Sequence, residues 1–457
     1  MGILRNRQKQ SMEERFVYLT QTPIPKLIST LAVPTIISML VTGIYNSADT
    51  FFVGRISTQA TAAVGLVFSV MAIIQALGFF CGQGSGTFLS RMMGAGDMRR
   101  ANEMSATGFA ISLIIGVTVA AVGNILAVPL ARMLGAGETT MHDTLTYMRI
   151  ILIGAPFMTG QFVLNNQLRY QGSAFYSMIG LLTGAILNMA LDPILMFGFR
   201  LGVAGAALAT VSGQIISFFV LLAGTRKGEN VRPELKNVRL NRYYLKELIN
   251  GGIPSLFRQG LAAVATILLN QAAGAAGGDA AIAGMSIVTR ALMLVVSALI
   301  GFGQGYQPVA SFNYGAGKKG RVREGYLFCV KVGTVFLTIG AALCIIFAPA
   351  VITFFRNDPD VVRVGVVALR AQAITLPLLG LSVMTNMLLQ SIGEGFKASI
   401  TSAARSGIFF IPLILILPRL FGLFGVEITQ ACADALTTVL VLPMAIIELR
   451  KLKDHDK

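Results

Sequence analysis

Asn188 and Asp192 lie four residues apart in the apolar stretch 181–199, and Pro193 follows directly. On a helix that spacing puts both side chains on one face. A carboxylate at membrane depth costs several kcal/mol unless it is paired, hydrated or protonated. Asp49, in the stretch Ile44-Tyr45-Asn46-Ser47-Ala48-Asp49, is a second acid in an apolar run, with Tyr45 one turn before it. Two carboxylates sharing a low-dielectric site cannot both ionise cheaply, so one of them can take up and release a proton near neutral pH. The same oxygen set also suits a hard monovalent cation such as Na⁺. A buried hydrogen-bond network that only pins helices together is the alternative for the same residues.

The elements that must position these groups are membrane helices. The 457 residues are 54% hydrophobic and 13% charged, where a soluble domain carries about 25% charged residues. The sequence predicts an all-α polytopic protein with twelve spans: 27–54, 61–89, 105–128, 146–168, 176–199, 202–224, 248–273, 280–312, 328–350, 365–390, 398–418 and 421–447. Each is long enough for a ~30 Å hydrocarbon core. With the N-terminus inside, the inner segments hold 25 Lys and Arg and the outer loops hold six. That bias predicts both termini in the cytoplasm. On this topology Asp192 sits about 16 residues, ~24 Å, from the inner end of its span. Thr210 lies nine residues after the turn near Leu201, as Asp192 lies nine before it, so hydroxyl and carboxylate fall at one level. Asn165, in the fourth span, adds a further polar group.

The chain repeats itself. Gly82-Gln83-Gly84 returns as Gly303-Gln304-Gly305, and Gly94-Ala95-Gly96 as Gly315-Ala316-Gly317. Pro156, Asn165 and Gly172 match Pro377, Asn386 and Gly393 at the same offset of 221, while Pro34–Pro254 and Gly202–Gly422 run at 220. Six spans per half make the repeat parallel, an arrangement used by secondary transporters. The expected units are an N-terminal lobe 1–224 holding the ion site, a basic linker 225–247 on an anionic membrane surface, and a C-terminal lobe 248–457. The exceptions to the repeat carry information. Asp49 maps onto Leu269 or Asn270 and Asp192 onto Pro412 or Leu413, so the second half drops both acids. Its own deep acid, Asp434, and Glu427 nearer the start of the last span are read as structural, with Arg405 as a partner. Arg290, well inside a span, faces either a partner or a water-filled vestibule.

Several functions are excluded. The basic residues cluster between spans, which argues against nucleic acid. Cys81, Cys329, Cys344 and Cys432 lie in apolar runs without metal spacing and are read as free thiols. His142 and His455 are both in loops, so no His-ligated metal site is expected in the membrane. Gly94-Ala95-Gly96 lacks the lysine and hydroxyl of a phosphate loop, so no ATP is used. Met1 to Lys26 is polar and basic with no short apolar region ending in a cleavage site, and no signal peptide is expected. An intramembrane enzyme lacks a nucleophile or metal constellation, and a channel lacks a repeated filter.

The stretches 44–54 (Ile-Tyr-Asn-Ser-Ala-Asp-Thr-Phe-Phe-Val-Gly), 187–195 (Leu-Asn-Met-Ala-Leu-Asp-Pro-Ile-Leu) and 202–210 (Gly-Val-Ala-Gly-Ala-Ala-Leu-Ala-Thr) together resemble the MATE (multidrug and toxic compound extrusion) transporters of the DinF branch. The resemblance covers nearly the whole chain. It implies two lobes in a V and export of amphipathic, often cationic drugs in exchange for H⁺ or Na⁺, with no other cofactor. It also implies a coupling-ion site of Asp49, Asp192, Asn188, Thr210, Tyr45 and Asn165, with Pro34 associated with bending of the first helix. Pro34 is 15 residues, ~22 Å, from Asp49, so any link between them is mechanical. The acids that some relatives carry in spans seven and ten are missing here, which concentrates the ion site in the first lobe. The expected setting is a prokaryotic inner membrane, with a monomer handling drug-like small molecules. The alternative is a relative that exports a metabolite or a lipid-linked substrate.

Overall fold

The computed structural model describes residues 12–228 and 230–453, without the side chains of Met12 and residues 44–51; every regular element described is helical. The first half contains α1 (Met12–Gln21), α2 (Ile24–Val53), α3 (Thr58–Gly94), α4 (Met98–Ile125), α5 (Ala127–Met133), α6 (Glu138–Tyr170), α7 (Ala174–Pro193) and α8 (Gly202–Thr225). The second half contains α9 (Arg242–Gly315), α10 (Lys319–Phe355), α11 (Pro359–Thr375), α12 (Leu378–Ile392), α13 (Gly395–Ala403), α14 (Phe410–Phe421) and α15 (Leu423–Lys453). π-helical turns continue α7 at Ile194–Gly198 and join α13 to α14 at Ala404–Phe409.

Ten of these stretches are long and apolar enough to cross a bilayer, and the pair α11–α12, bent by 56° at Leu376–Pro377, makes another. Helix α9 breaks at Gly278 (φ 64°, ψ −155°) and supplies two spans, which brings the described residues to the twelve expected. The spans end as their sequences dictate. Ser57, Asp97, Asn241 and Asp358 each accept a hydrogen bond from a first-turn backbone N–H, satisfying donors that a helix start leaves open. Gly96, Gly172, Gly317 and Gly393 close helices with φ between 74° and 91°, a region open to glycine at no steric cost. They are two repeat pairs, so the turns repeat as well as the spans.

The first helix of each half crosses to the other half. Leu27, Ile28 and Leu31 of α2 share a core with Tyr306, Val309 and Ala310 of α9, while α2 also packs along α7. In the same way Leu248 of α9 packs with Phe88 of α3 and Met104 of α4. Glycines make the crossing tight. A Cβ at Gly94 would lie 2.0 Å from the Phe312 carbonyl oxygen, and one at Gly315 would lie 1.9 Å from that of Arg91. These two contacts are the same contact seen from each half. Gly305 against Ala32 (2.4 Å) and Gly84 against Leu248 (2.2 Å) form a second reciprocal set. All four lie toward the end of the bundle where the linker runs, called here the linker end.

The linker does more than span the halves. The Val231 N–H donates to Gln171 Oε1 at 2.6 Å, and the Arg239 N–H donates to Thr107 Oγ1 at 2.9 Å. Its backbone is therefore held on the first lobe, and its last residues, from Arg242, already belong to α9. α1 was invisible in a polar sequence. It is fixed by the second lobe, where Asn313 Nδ2 donates to the Leu19 carbonyl at 3.0 Å.

Candidate functional site: a polar cavity in the first lobe

Helix α7 buries one stripe: Ala174, Ser177, Gly180, Gly184, Asn188 and Asp192. Spacings of three and four residues put them on one face, and that face meets α8 where both helices have glycine. A Cβ at Gly184 would come within 2.7 Å of the Gly213 carbonyl. Asn188, one turn on, donates through Nδ2 to Thr210 Oγ1 at 3.3 Å. Asp192, a further turn toward the far end, is fully buried at 0% exposure. Pro193 and the π turn after it then close the helix, and π turns often mark functional positions.

Asn188 and Thr210 line a cavity that holds about 50 Å³ of space for water, enough for a few molecules. Its other polar walls are Ser38 and Thr42 of α2, Gln161 of α6 and Gln214 of α8. The Oδ1 of Asn188 and the Oε1 atoms of Gln161 and Gln214 are buried acceptors without hydrogen-bond partners among the described residues. Three carbonyl oxygens and hydroxyls around a small hydrated space can solvate a proton-carrying water or a monovalent cation. Among the described residues no cluster of His, Cys, Asp and Glu could hold a metal ion otherwise.

The structure brings Asn188 and Thr210 together, sets Asp192 one turn beyond Asn188 on the same buried face, and bonds Asn165 to Ser177. Asn165 Nδ2 donates to the Ser177 carbonyl at 3.1 Å and to Ser177 Oγ at 2.6 Å, near the linker end of α7. Its repeat mate Asn386 donates to the Ala398 carbonyl at 2.7 Å. Both asparagines reach a carbonyl 12 residues downstream, so this bond builds each lobe. Depth along α6 explains the difference: Gln161, one turn nearer the far end, takes the place expected for Asn165. Tyr45 and Asp49 lie on α2, and their side chains fall outside the described residues.

The second lobe fills the matching space. Gly205 approaches the Leu195 carbonyl as Gly425 approaches that of Leu417, at 2.8 and 2.2 Å. That register places Gln214 opposite Asp434, and it places Phe410 and Ile414, the buried residues of α14, opposite Asn188 and Asp192. The mate of Asp192 is therefore Ile414, one or two residues beyond the expected Pro412 or Leu413, because the π turn at 404–409 inserts a residue. Arg405 on that turn donates to Asp434 Oδ1 at 2.7 Å. Gln430 reaches the same oxygen at 2.8 Å. The expected partner Arg405 thus pairs with Asp434, whereas Glu427 is buried without an ion pair among the described residues.

Pro34 lies within the lobe crossing, one turn from the cavity. Ala32 and Ile36, on either side of it, are touched by Gly305 and Gly301 of the second lobe. Ser38 and Thr42, one and two turns further, line the cavity.

Comparisons agree with this architecture. The MatE family profile matches residues 34–194 and again 254–416, once per half. The chain is 30% identical over 427 residues to the multidrug export protein MepA of Staphylococcus aureus (strain MW2), covering 93% of this chain and 94% of that one. It is 28% identical over 451 residues to MepA of Staphylococcus haemolyticus (strain JCSC1435), covering 97% and 98%. Among solved structures, an outward-facing multidrug resistance MATE family transporter of the MOP superfamily superposes with TM-score 0.89 at 28% identity, over 96% of this chain and 98% of that one. A MATE structure in a bent conformation superposes at 0.90 with 28% identity, over 96% and 98%.

Proposed function

The chain belongs to the MatE family of membrane transporters, and from that premise we propose that it exports amphipathic drug-like compounds in exchange for H⁺ or Na⁺. The linker end is cytoplasmic in this reading, in keeping with its excess of Lys and Arg. Asp192, with Asp49 on α2, carries the coupling ion, and Asn188, Thr210 and the cavity waters complete its shell.

One observation carries the mechanism. Helix α2 contributes Ala32 and Ile36, on either side of Pro34, to the lobe crossing, and Ser38 and Thr42, one and two turns beyond Pro34, to the cavity. Proline removes one backbone hydrogen bond, which leaves the helix easier to bend there than elsewhere. When the carboxylates change protonation, the far half of α2 shifts against α7. The bend at Pro34 passes that shift to the contacts that hold the lobes closed at the linker end. Ion and substrate then favour different states, the condition for a gradient to drive export.

Everted membrane vesicles loaded with a fluorescent amphipathic dye test this reading, with H⁺ and Na⁺ gradients imposed separately. Concentrative uptake on one gradient, absent in vesicles lacking the protein, is the expected result. Equal dye distribution under both gradients contradicts it.

A further inference from the structure

Arg169 and Arg258 place two guanidinium groups between the lobes with only neutral partners. Arg169, at the linker end of α6, is 1% exposed. It donates to Gln304 of the opposite lobe and, at 2.6 Å, to Asn166 Oδ1. Arg258 of α9 donates to Asn386 Oδ1 at 3.3 Å and to Ser255 Oγ at 3.4 Å. Hydrogen bonds link their surroundings: Gln307, one turn after Gln304, donates to Gln390 at 3.1 Å, and Gln390 and Arg258 both donate to Ser255 Oγ. Neither arginine forms an ion pair among the described residues, and Glu247, three turns before Arg258 on α9, is paired with Arg91 at 3.2 Å.

The repeat shows that this charge is not needed to build the interface. The mate of Arg169 is Gln390, which donates to the Gly251 carbonyl at 2.7 Å and to Ser255 Oγ at 3.0 Å. The mate of Arg258, at the offset shared by Pro34 and Pro254, is Ser38. Neutral side chains therefore suffice at both matching places, whereas two unpaired cations at membrane depth are costly. Donors also remain unused: Arg169 Nε and Gln83 Nε2 are buried without partners among the described residues. Tyr170 joins them, because its hydroxyl donates to Gln83 and its ring lies 5.4 Å from the Arg169 guanidinium.

We infer that Arg169 and Arg258 form an oxyanion site between the lobes that takes the carboxylate of the transported compound. The inference rests on the export reading and narrows it: the preferred substrates are zwitterionic or anionic amphiphiles, in place of purely cationic ones. Arg258 is half-buried and meets the carboxylate first. Arg169 joins when its guanidinium leaves Gln304, so carboxylate binding and closure at the linker end compete. A planar guanidinium suits such a group because it donates to both oxygens at once.

A matched pair of xanthene dyes tests the assignment, rhodamine B with a free benzoate and its ethyl ester, bound to the purified chain in phosphatidylcholine nanodiscs and read by anisotropy. The expected ratio favours the acid by about tenfold. It falls to about one in Arg258→Gln and to an intermediate value in Arg258→Lys, which keeps the charge without the two-oxygen fork. Equal affinity in the parent, or a ratio that survives Arg258→Gln, overturns the site. If phosphatidylglycerol in the nanodisc abolishes the preference, the anion is a lipid phosphate and the substrate assignment fails. Gradient-driven exchange in proteoliposomes separates the two readings. Exchange with a ratio of one removes the anion site alone, and a tenfold ratio without exchange removes the antiporter alone.

Discussion

Arg405 and Asp434 meet at 2.7 Å in the second lobe, at the place where the first lobe has Gly184, Gln214 and a cavity. One fold has thus used the same space twice. The second lobe closes it with an ion pair, and the first leaves it open beside an acid.

That closure makes a stability prediction. Asp434 is 3% exposed and Arg405 about a third exposed at the side chain. Arg405→Ala leaves a buried carboxylate held only by Gln430, at a cost of about 2–3 kcal/mol. Thermal unfolding in detergent should show a clear drop in Tm for R405A, and the double substitution R405L/D434L should recover most of it. A double variant as unstable as R405A contradicts the pairing.

Asn165 provides a second test. Because Asn386 makes the same bond in a lobe without the acids, Asn165→Ala should cost about 1–2 kcal/mol of stability. The ratio of transport at two imposed pH gradients should stay at the parent value. A shifted pH response would return Asn165 to the ion site.

The lobe crossing predicts a steric effect. A Cβ at Gly315 would sit 1.9 Å from the Arg91 carbonyl, and backbone cannot yield there. Gly315→Ala should hold the linker end apart, so a cysteine placed at Ser391, whose carbonyl accepts from Arg91, reacts faster with a membrane-impermeant maleimide applied from that side. Unchanged labelling contradicts the closure assigned to these glycines.

Pro34 predicts a separation of binding from coupling. Pro34→Ala restores a helical hydrogen bond and stiffens α2 within the crossing, one turn from the cavity. Dye affinity should change by less than about twofold, while gradient-driven transport falls by tenfold or more, a difference of about 1.4 kcal/mol or greater in the coupled step. Parallel loss of both indicates a folding defect and contradicts the hinge.

Much of the fold was legible because a bilayer demands long apolar helices, and a parallel repeat leaves its glycines at a fixed offset. The site was legible in part. Asn188, Asp192 and Thr210 follow from helix period and a turn at known distance. The bond of Asn165 to Ser177 was not legible, because the count along α7 and α8 carries no depth for α6. Gln161 and Gln214 gave no signal, since a glutamine in an apolar helix looks the same whether it faces a cavity or a neighbour. Ile414, in place of the expected Pro412 or Leu413, is the mate of Asp192 because a π turn adds a residue without any sequence mark. The docking of the linker by Gln171 depends on a contact 60 residues away, which no local pattern reveals.

The central claim is that Asp192 couples the ion to the substrate. The direct measurement compares Asp192→Asn with the parent in proteoliposomes, by dye counterflow without a gradient and by uptake on an imposed H⁺ or Na⁺ gradient. The account predicts counterflow within about twofold of the parent and no response to either gradient. A gradient response equal to the parent's would contradict it.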